Sequence, residues 1–286
     1  MRIAVVGLGA IGSTFAFALS KAGHEVTGIA RGERLEQVQR DGAIVKVDGE
    51  RAAIATAREL DPAVPFDLVL VAVLAHQVEP ILPTLRASAA KTVLFMFNTV
   101  APLANLRDVV GAERFAFGFP AVLASLPSGR LQYEVFTFGQ ITIVTEARWA
   151  ELFTAAGIKT HVEPHMQSWL RTHAVVIAVV LSLSLRAVSA GRGATWAEAS
   201  GQARAFAEGL ALVRHLGERV TPMPIALLGA LPGFLRAALF WVLSRTPLVR
   251  SAAAVGPKEP RALIDAMAAL GPPALTEGLR AIRPAD

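Results

Sequence analysis

Ile3-Ala4-Val5-Val6-Gly7-Leu8-Gly9-Ala10-Ile11-Gly12-Ser13 is the stretch that decides the fold. Four apolar residues form a short run of the kind that a strand buried on both faces requires. The glycines after it match G-x-G-x-x-G at the place where a strand gives way to a helix. Gly7 allows the tight turn, Gly9 lets a pyrophosphate approach the main chain, and Gly12 lets helix and strand pack closely. Residues 11–22 continue as a helix whose first N–H groups are free to meet phosphate. The stretch therefore predicts a dinucleotide-binding turn in which Gly7, Leu8, Gly9, Ala10, Ile11 and Gly12 form the cofactor loop. A glycine turn that holds no dinucleotide is the alternative the motif leaves open. The same apolar run is too short for a signal peptide and ends in glycines, so a buried strand is expected.

Nineteen residues past Gly12, where an NAD-specific site places a carboxylate against the ribose, the chain has Arg31. A guanidinium grips a phosphate bidentately, so the 2′-phosphate of NADP is the expected occupant. Arg34 either assists or is a solvated surface residue.

Outward from this turn the first half alternates short β-rich runs with helical ones, as a parallel α/β sheet does. Strands are expected at 25–30, 68–73, 93–98 and 115–119, and a helical start at 78–88. Residues 43–47 and 51–57 predict a hairpin about Asp48-Gly49. Residues 131–138 and 140–144 predict a second one about Gly139. From Pro164 onward the pattern is helical, over 166–187, 196–216, 225–243 and 258–270, and nothing alternates with period two. The expected fold is α/β, with an N-terminal Rossmann NADP-binding domain over 1–163. An all-helical domain over 164–286 would serve substrate binding and dimerisation.

Composition supports an ordered protein: of 286 residues 53% are hydrophobic and 18% charged, against roughly 45–50% and 25% in ordinary domains. Cysteine is absent, which removes disulfides, thiolate nucleophiles and cysteine-ligated metals and makes the cytoplasm the expected compartment. The net charge of +5 lies in the second half, because residues 1–150 carry 14 basic and 14 acidic side chains and residues 151–286 carry 14 and 9. Between Pro164 and Pro257 nine arginines face only Glu198, Glu208 and Glu218. A membrane surface, an acidic partner or an anionic small ligand would each account for that excess.

No basic–aromatic array points to nucleic acid, and no serine sits in a nucleophile elbow. His161 and His165 straddle Pro164 rather than one helix turn, so no metal site is expected. Two segments are apolar enough to test against a bilayer. Residues 173–185, between Arg171 and Arg186, fall short of the ~20 residues a span needs. Residues 223–243 contain Pro224, Pro232 and Arg236, and a mid-span arginine costs about 2.5–3.5 kcal/mol. No integral span is expected.

Three residues stand where chemistry would be placed. His76 lies beyond the end of a parallel strand, where ligands of open α/β sheets bind, and imidazole is the side chain acid catalysis uses most often; a solvated loop histidine is the bland alternative. Asn98 also stands at a strand end, as a crevice residue or a turn former. Arg171 precedes a long apolar helix and is suited to hold a carboxylate or polarise a carbonyl oxygen, or is a surface residue of that helix. His173, two positions on, lies on another face and is expected to be a satisfied core or interface histidine.

Taken together, the glycine loop with Ser13, Arg31, Phe97-Asn98, the 131–144 segment, Trp169-Leu170-Arg171 and Glu259 resemble the ketopantoate reductase (2-dehydropantoate 2-reductase) family over nearly the whole chain. The resemblance implies a Rossmann domain, a helical domain, and NADPH giving hydride to a 2-keto acid. It implies catalytic roles near the positions of Asn98, Arg171 and Glu259, Glu259 contacting substrate rather than merely opening a helix. The chain departs from the family pattern at Arg171, where members carry a lysine, at Leu74, at Thr99 after Asn98, and at Val175 and Val179. Ketopantoate itself would then be a poor substrate. The expected activity is an NADPH-dependent reductase acting on a carbonyl or imine of a more hydrophobic small molecule, with His76 or water as proton source and a possible homodimer. An NADPH-binding sensor or scaffold without turnover, and a peripheral membrane reductase of a lipidic substrate, are the alternatives.

Overall fold

The computed structural model describes residues 1–135 and 141–285, with only the backbone of Leu248. It divides into two compact units. The first contains Met1–Asn98 and Pro102–Met166, and the second Thr99–Ala101 and Gln167–Asp286.

In the first unit β1 (Arg2–Val6) leads into α1 (Ala10–Lys21), β2 (Glu25–Ile29) and α2 (Gly32–Asp41). The short strands β3 (Ala43–Val45), β4 (Arg51–Ala53) and β5 (Ala55–Ala57) follow, then β6 (Leu68–Val71), two 3₁₀ turns at Ala75–Gln77 and Glu79–Ile81, and α3 (Leu82–Ala87). The unit continues through β7 (Val93–Met96), α4 (Ala104–Val110), β8 (Phe115–Phe119), β9 (Val122–Ser125), β10 (Gln132–Val135), β11 (Thr142–Val144), α5 (Ala147–Ala155) and β12 (Thr160–Val162). Eight strands form one sheet in the order β12-β11-β8-β7-β6-β1-β2-β5, parallel except where β11 meets β8. This is a Rossmann-type sheet. Its central strands are apolar throughout because both faces are covered: every residue of β6 and β7 is buried.

The predicted hairpin about Asp48-Gly49 forms only over its first half. β3 pairs antiparallel with β4, and Gly49 takes the left-handed φ of +89° that the turn demands. Residues 55–57 leave it as β5, which adds parallel to β2. The second predicted hairpin has its turn, Gly139, outside the described residues. Its described arms pair elsewhere, β10 with β9 and β11 with β8 and β12.

The second unit consists of α6 (Met166–Ser189), α7 (Trp196–His215), α8 (Met223–Ala230), α9 (Gly233–Leu243), α10 (Pro247–Ser251), α11 (Lys258–Ala268) and α12 (Glu277–Ala281). A capping box starts α7: Thr195 Oγ1 accepts from Glu198 N–H while Glu198 Oε2 accepts from Thr195 N–H. The Arg192 guanidinium and the Thr195 amide hold the Glu198 carboxyl down at about 2. The apolar core joins Val175, Val179 and Leu183 of α6 to Phe206 and Leu210 of α7, Phe240 of α9 and Ile264 of α11.

One expectation changes here and one holds. The single helix over 225–243 is two, bent by 117° at Leu231-Pro232, because Pro232 cannot continue the ladder of α8. The helix expected over 166–187 forms as α6, 24 residues long, and its most apolar 18-residue window has a mean hydropathy of 1.8, enough by length and composition to cross a membrane. That window is 61% buried within the protein, as a core helix is.

Candidate dinucleotide site

The loop after β1 takes its shape from its glycines. Gly7 has φ +94°, and a Cβ there would meet Val73 Cγ1 at 2.6 Å. A Cβ on Gly12 would lie 1.8 Å from the Gly7 carbonyl oxygen, so α1 approaches the strand as closely as only glycine permits. Gly9 is different, since a Cβ on it would meet nothing within 4 Å. It is the N-cap of α1 and supplies no side-chain acceptor, which leaves the first amides of the helix turned to open space. The Leu8 side chain is buried against Gly28, so Leu8 contributes its main chain alone.

Arg34 on α2 fastens this loop. Its Nε donates to the Leu8 carbonyl at 3.0 Å, Nη2 donates to Ser13 Oγ at 2.8 Å, and Nη1 donates to Gly129 O at 2.8 Å. Ser13 Oγ in turn donates to Leu8 O at 3.0 Å. Burial lowers the Arg34 pKa, with Asp41 opposing.

A cavity of about 720 Å³ opens over the loop, within the size range of cofactor pockets. Its wall is built from the C-terminal ends of four neighbouring parallel strands: Gly7–Gly9 after β1, Ala30-Arg31 after β2, Arg58-Glu59-Leu60 after β5, and Val73, His76 and Gln77 after β6. β2 and β6 flank β1 on opposite sides, which makes this the switch point of the sheet, where open α/β folds bind their ligands. Arg31, Arg34 and Arg58 put three guanidiniums on one wall. Arg31 is exposed and lies 3.8 Å from the Glu59 carboxylate. His76 is exposed on the 3₁₀ turn that Gln77 Oε1 caps by accepting from Leu74 N–H. An uncapped helix start, an open approach at Gly9 and a long cavity at the switch point fit a dinucleotide.

The remaining predicted residues are not among those that line this cavity. Asn98 follows β7 in the same unit, and its Oδ1 is buried with no hydrogen-bond partner among the described residues. Arg171, expected either to hold a substrate carboxylate or carbonyl or to lie on the surface of its helix, is 6% exposed in the second unit. Its Nη1 is 3.2 Å from Glu218 Oε1 and its Nε donates to Val100 O at 3.2 Å. Glu218 Oε2 also accepts from Ser168 Oγ at 2.6 Å. Burial pulls the Arg171 pKa down and Glu218 pushes it back up. The reason is local: α6 places Arg171 beneath the Thr99–Ala101 segment, whose buried carbonyl needs a donor. Glu259 stands in the first turn of α11, exposed overall, yet the protein around its carboxyl raises its pKa. His173 stacks on Trp169 at 4.6 Å, and burial lowers it to about 4. Val175 and Val179 are completely buried, so their apolar character belongs to the core and lines no pocket.

Sequence reasoning missed Arg58. It would be found by looking past the end of β5, but residues 51–57 were expected to belong to a hairpin and not to a parallel strand.

The ApbA family, ketopantoate reductase PanE/ApbA, matches residues 3–144. Over these residues the chain is a divergent member of the ketopantoate reductase family. Among solved structures, the PanE/ApbA family ketopantoate reductase from Ralstonia eutropha JMP134 is 20% identical, with a TM-score of 0.70 over 99% of this chain and 97% of that one. The 2-dehydropantoate 2-reductase from Methylococcus capsulatus is 17% identical, with a TM-score of 0.69 over 99% and 94%. A D-mandelate dehydrogenase solved with NADH is also 17% identical, with a TM-score of 0.70 over 99% and 97%. At these identities the likeness carries the fold. Family and fold together indicate an NAD(P)-dependent reductase of the PanE/ApbA type.

Proposed function

We propose that the protein is an NADPH-dependent reductase that delivers hydride to a carbonyl or imine carbon of a small, relatively hydrophobic substrate. The observation that carries this reading is the trio Arg31, Arg34 and Arg58 on the wall of the glycine-loop cavity. Arg34 is occupied by the loop, which leaves Arg31 and Arg58 to receive a 2′-phosphate; both are exposed toward solvent. Glu59 stands beside them and is the group a 2′-hydroxyl would use, so the two cofactor forms compete on one wall.

The bound dinucleotide supplies the hydride. His76 lines the same cavity and is suited to hold the proton for the developing alkoxide. Asn98 offers an unpartnered carbonyl oxygen at the end of β7, and its amide is a donor for cofactor or substrate. Glu259, whose carboxyl pKa burial raises, is the substrate-contacting group that the resemblance implies. Arg171 acts as a positioning residue, holding the Thr99–Ala101 segment through Val100. Support for a hydrophobic substrate now rests on Leu74, 61% exposed where family members carry a lysine, because Val175 and Val179 are core.

Fluorescence titration with NADPH and NADH, followed by turnover on a panel of 2-keto acids, aldehydes and cyclic imines, tests both halves. NADPH binding at least tenfold tighter than NADH, with oxidation driven best by apolar members, is the expected result. Tighter NADH binding would overturn the cofactor assignment, and tight NADPH binding without oxidation would overturn turnover.

A further inference from the structure

The bend between α8 and α9 presents apolar side chains to solvent on both of its arms. Leu227 on α8 is 62% exposed, Phe234 on α9 is 63% exposed and Val242 is 53% exposed. Leu231, Leu235 and Trp241 complete the patch, and all of residues 231–235, Leu-Pro-Gly-Phe-Leu, are exposed at the apex. On α9 the spacing of 234, 235, 241 and 242 puts these side chains on one stripe. Exposed apolar side chains gathered about one bend in this way mark an interaction surface.

Charge decides what covers it. Between Glu218 and Glu259 the sequence has no acidic residue and five basic ones, Arg219, Arg236, Arg245, Arg250 and Lys258. Elsewhere in this unit Arg171, Arg192, Arg204 and Arg283 are each paired with a carboxylate. Among the described residues, Arg219, Arg236, Arg245 and Arg250 have no such partner, and neither has Arg214, which lies 4.0 Å from the place of a Gly229 Cβ on α8. Arg245 lies flat over Trp241, 3.7 Å from the ring centroid, a pairing of aromatic and cation suited to a lipid headgroup region. Arg236 donates to the carbonyls of Gly229 and Leu231 and so fixes the bend.

We propose that the α8–α9 bend is a docking wedge for an anionic membrane surface, the apolar apex entering the headgroup boundary and the carboxylate-free Arg214 and Arg245 beside it meeting lipid phosphates. It is a surface contact and not a span. At 1.5 Å per residue the two arms are about 12 and 16 Å long, against a hydrocarbon core of about 30 Å, and they are bent by 117°. A second copy is the weaker occupant. A two-fold contact would set this patch against itself and bring the same carboxylate-free guanidiniums face to face. The inference is independent of the proposed reductase activity and says nothing about what is reduced.

Flotation of the full-length protein with vesicles of phosphatidylcholine, alone or mixed with phosphatidylglycerol, tests it at low and high salt. The expected result is flotation with the mixed vesicles at low salt and release at high salt. The variant Phe234→Glu/Leu235→Glu, at two exposed positions, should lose flotation. Arg245→Ala should weaken vesicle affinity about fivefold. An unchanged circular dichroism spectrum and an unchanged thermal midpoint would show that the variants are folded. No flotation of the wild-type protein, equal flotation with phosphatidylcholine alone, or undiminished flotation of the Glu variant would each overturn the proposal. So would light scattering that shows a wild-type dimer which the Glu variant splits, because the patch would then be a self-interface.

Discussion

Replacing Arg171 separates a structural clamp from a substrate ligand, because the two roles put the loss in different observables. In Arg171→Met the Glu218 carboxylate keeps one donor, Ser168 Oγ at 2.6 Å, and the Val100 carbonyl loses its own. Removing one partner of a buried ion pair costs about 3–5 kcal/mol. Glu218 keeps 23% of its side chain exposed and can recruit water, which places this variant near the low end, at about 3 kcal/mol. Glu218→Gln should cost more, since the Arg171 side chain is 7% exposed and has less access to solvent. The double variant leaves no unpaired charge, and replacing a whole buried pair by neutral groups is often close to neutral. It should therefore be more stable than the sum of the single changes predicts, by at least about 2 kcal/mol. With a urea slope of about 2 kcal/mol per molar, Arg171→Met lowers the midpoint by about 1.5 M. Fluorescence of Trp169, Trp196 and Trp241 reports it from the same unit. An unchanged midpoint together with abolished turnover would refute the clamp and return Arg171 to the substrate.

The two loop glycines should fail in different ways. Gly9→Ala meets open space, so thermal stability stays within about 0.5 kcal/mol of wild type while NADPH affinity in a fluorescence titration drops at least about tenfold. Gly12→Ala, with its Cβ 1.8 Å from a backbone oxygen, should lose about 1–3 kcal/mol or more of stability in chemical denaturation. Arg31→Ala and Arg58→Ala should each weaken NADPH by about tenfold, since charge-assisted hydrogen bonds are worth about 1.5–3 kcal/mol, and leave NADH unchanged in the same titration. His173 is depressed from 6.5 to about 4 by burial, so the folded state prefers the neutral ring. That preference stabilises fully above the unfolded value and is lost as pH falls through the folded one. His173→Asn should therefore flatten the fall in melting temperature measured from pH 7 down to pH 4.

The parts of the fold that were legible are those whose signal is local. Residues 3–6, 68–71 and 93–96 announce themselves as buried parallel strands because they are apolar without alternation, and Gly7-x-Gly9 fixes where α1 begins. α2 was not foreseen, and the reason is physical: Val38 is its one fully buried residue, so almost no apolar periodicity exists to detect. β5 reads as the arm of a hairpin because its partner, β2, is about 28 residues away in sequence, and parallel pairing leaves no turn signal between them. That one error hid Arg58, which a parallel-strand assignment would have placed at the cavity. The role of Arg171 was equally hidden, since its partner Glu218 is 47 residues distant and Val100 is 71.

The glycine motif alone does not explain a loop held open to a ligand. Glycines supply the freedom to adopt the required angles, and the same freedom makes the unfastened loop an ensemble. Here the Leu8 carbonyl accepts from both Ser13 Oγ and Arg34 Nε, which holds that peptide with its oxygen directed at α1 and α2. Arg34 is itself fixed by Gly129 O and Gln37 Oε1 and cannot easily swing toward an anion. Its charge still stands beside the helix start, so it contributes a positive field to the loop without spending its donors on the phosphates. Order that the loop already possesses is order that binding need not impose. The division of labour on the wall follows from this: Arg34 shapes the anion site from behind, and Arg31 and Arg58, exposed and unfastened by comparison, remain to select among the dinucleotides that enter it.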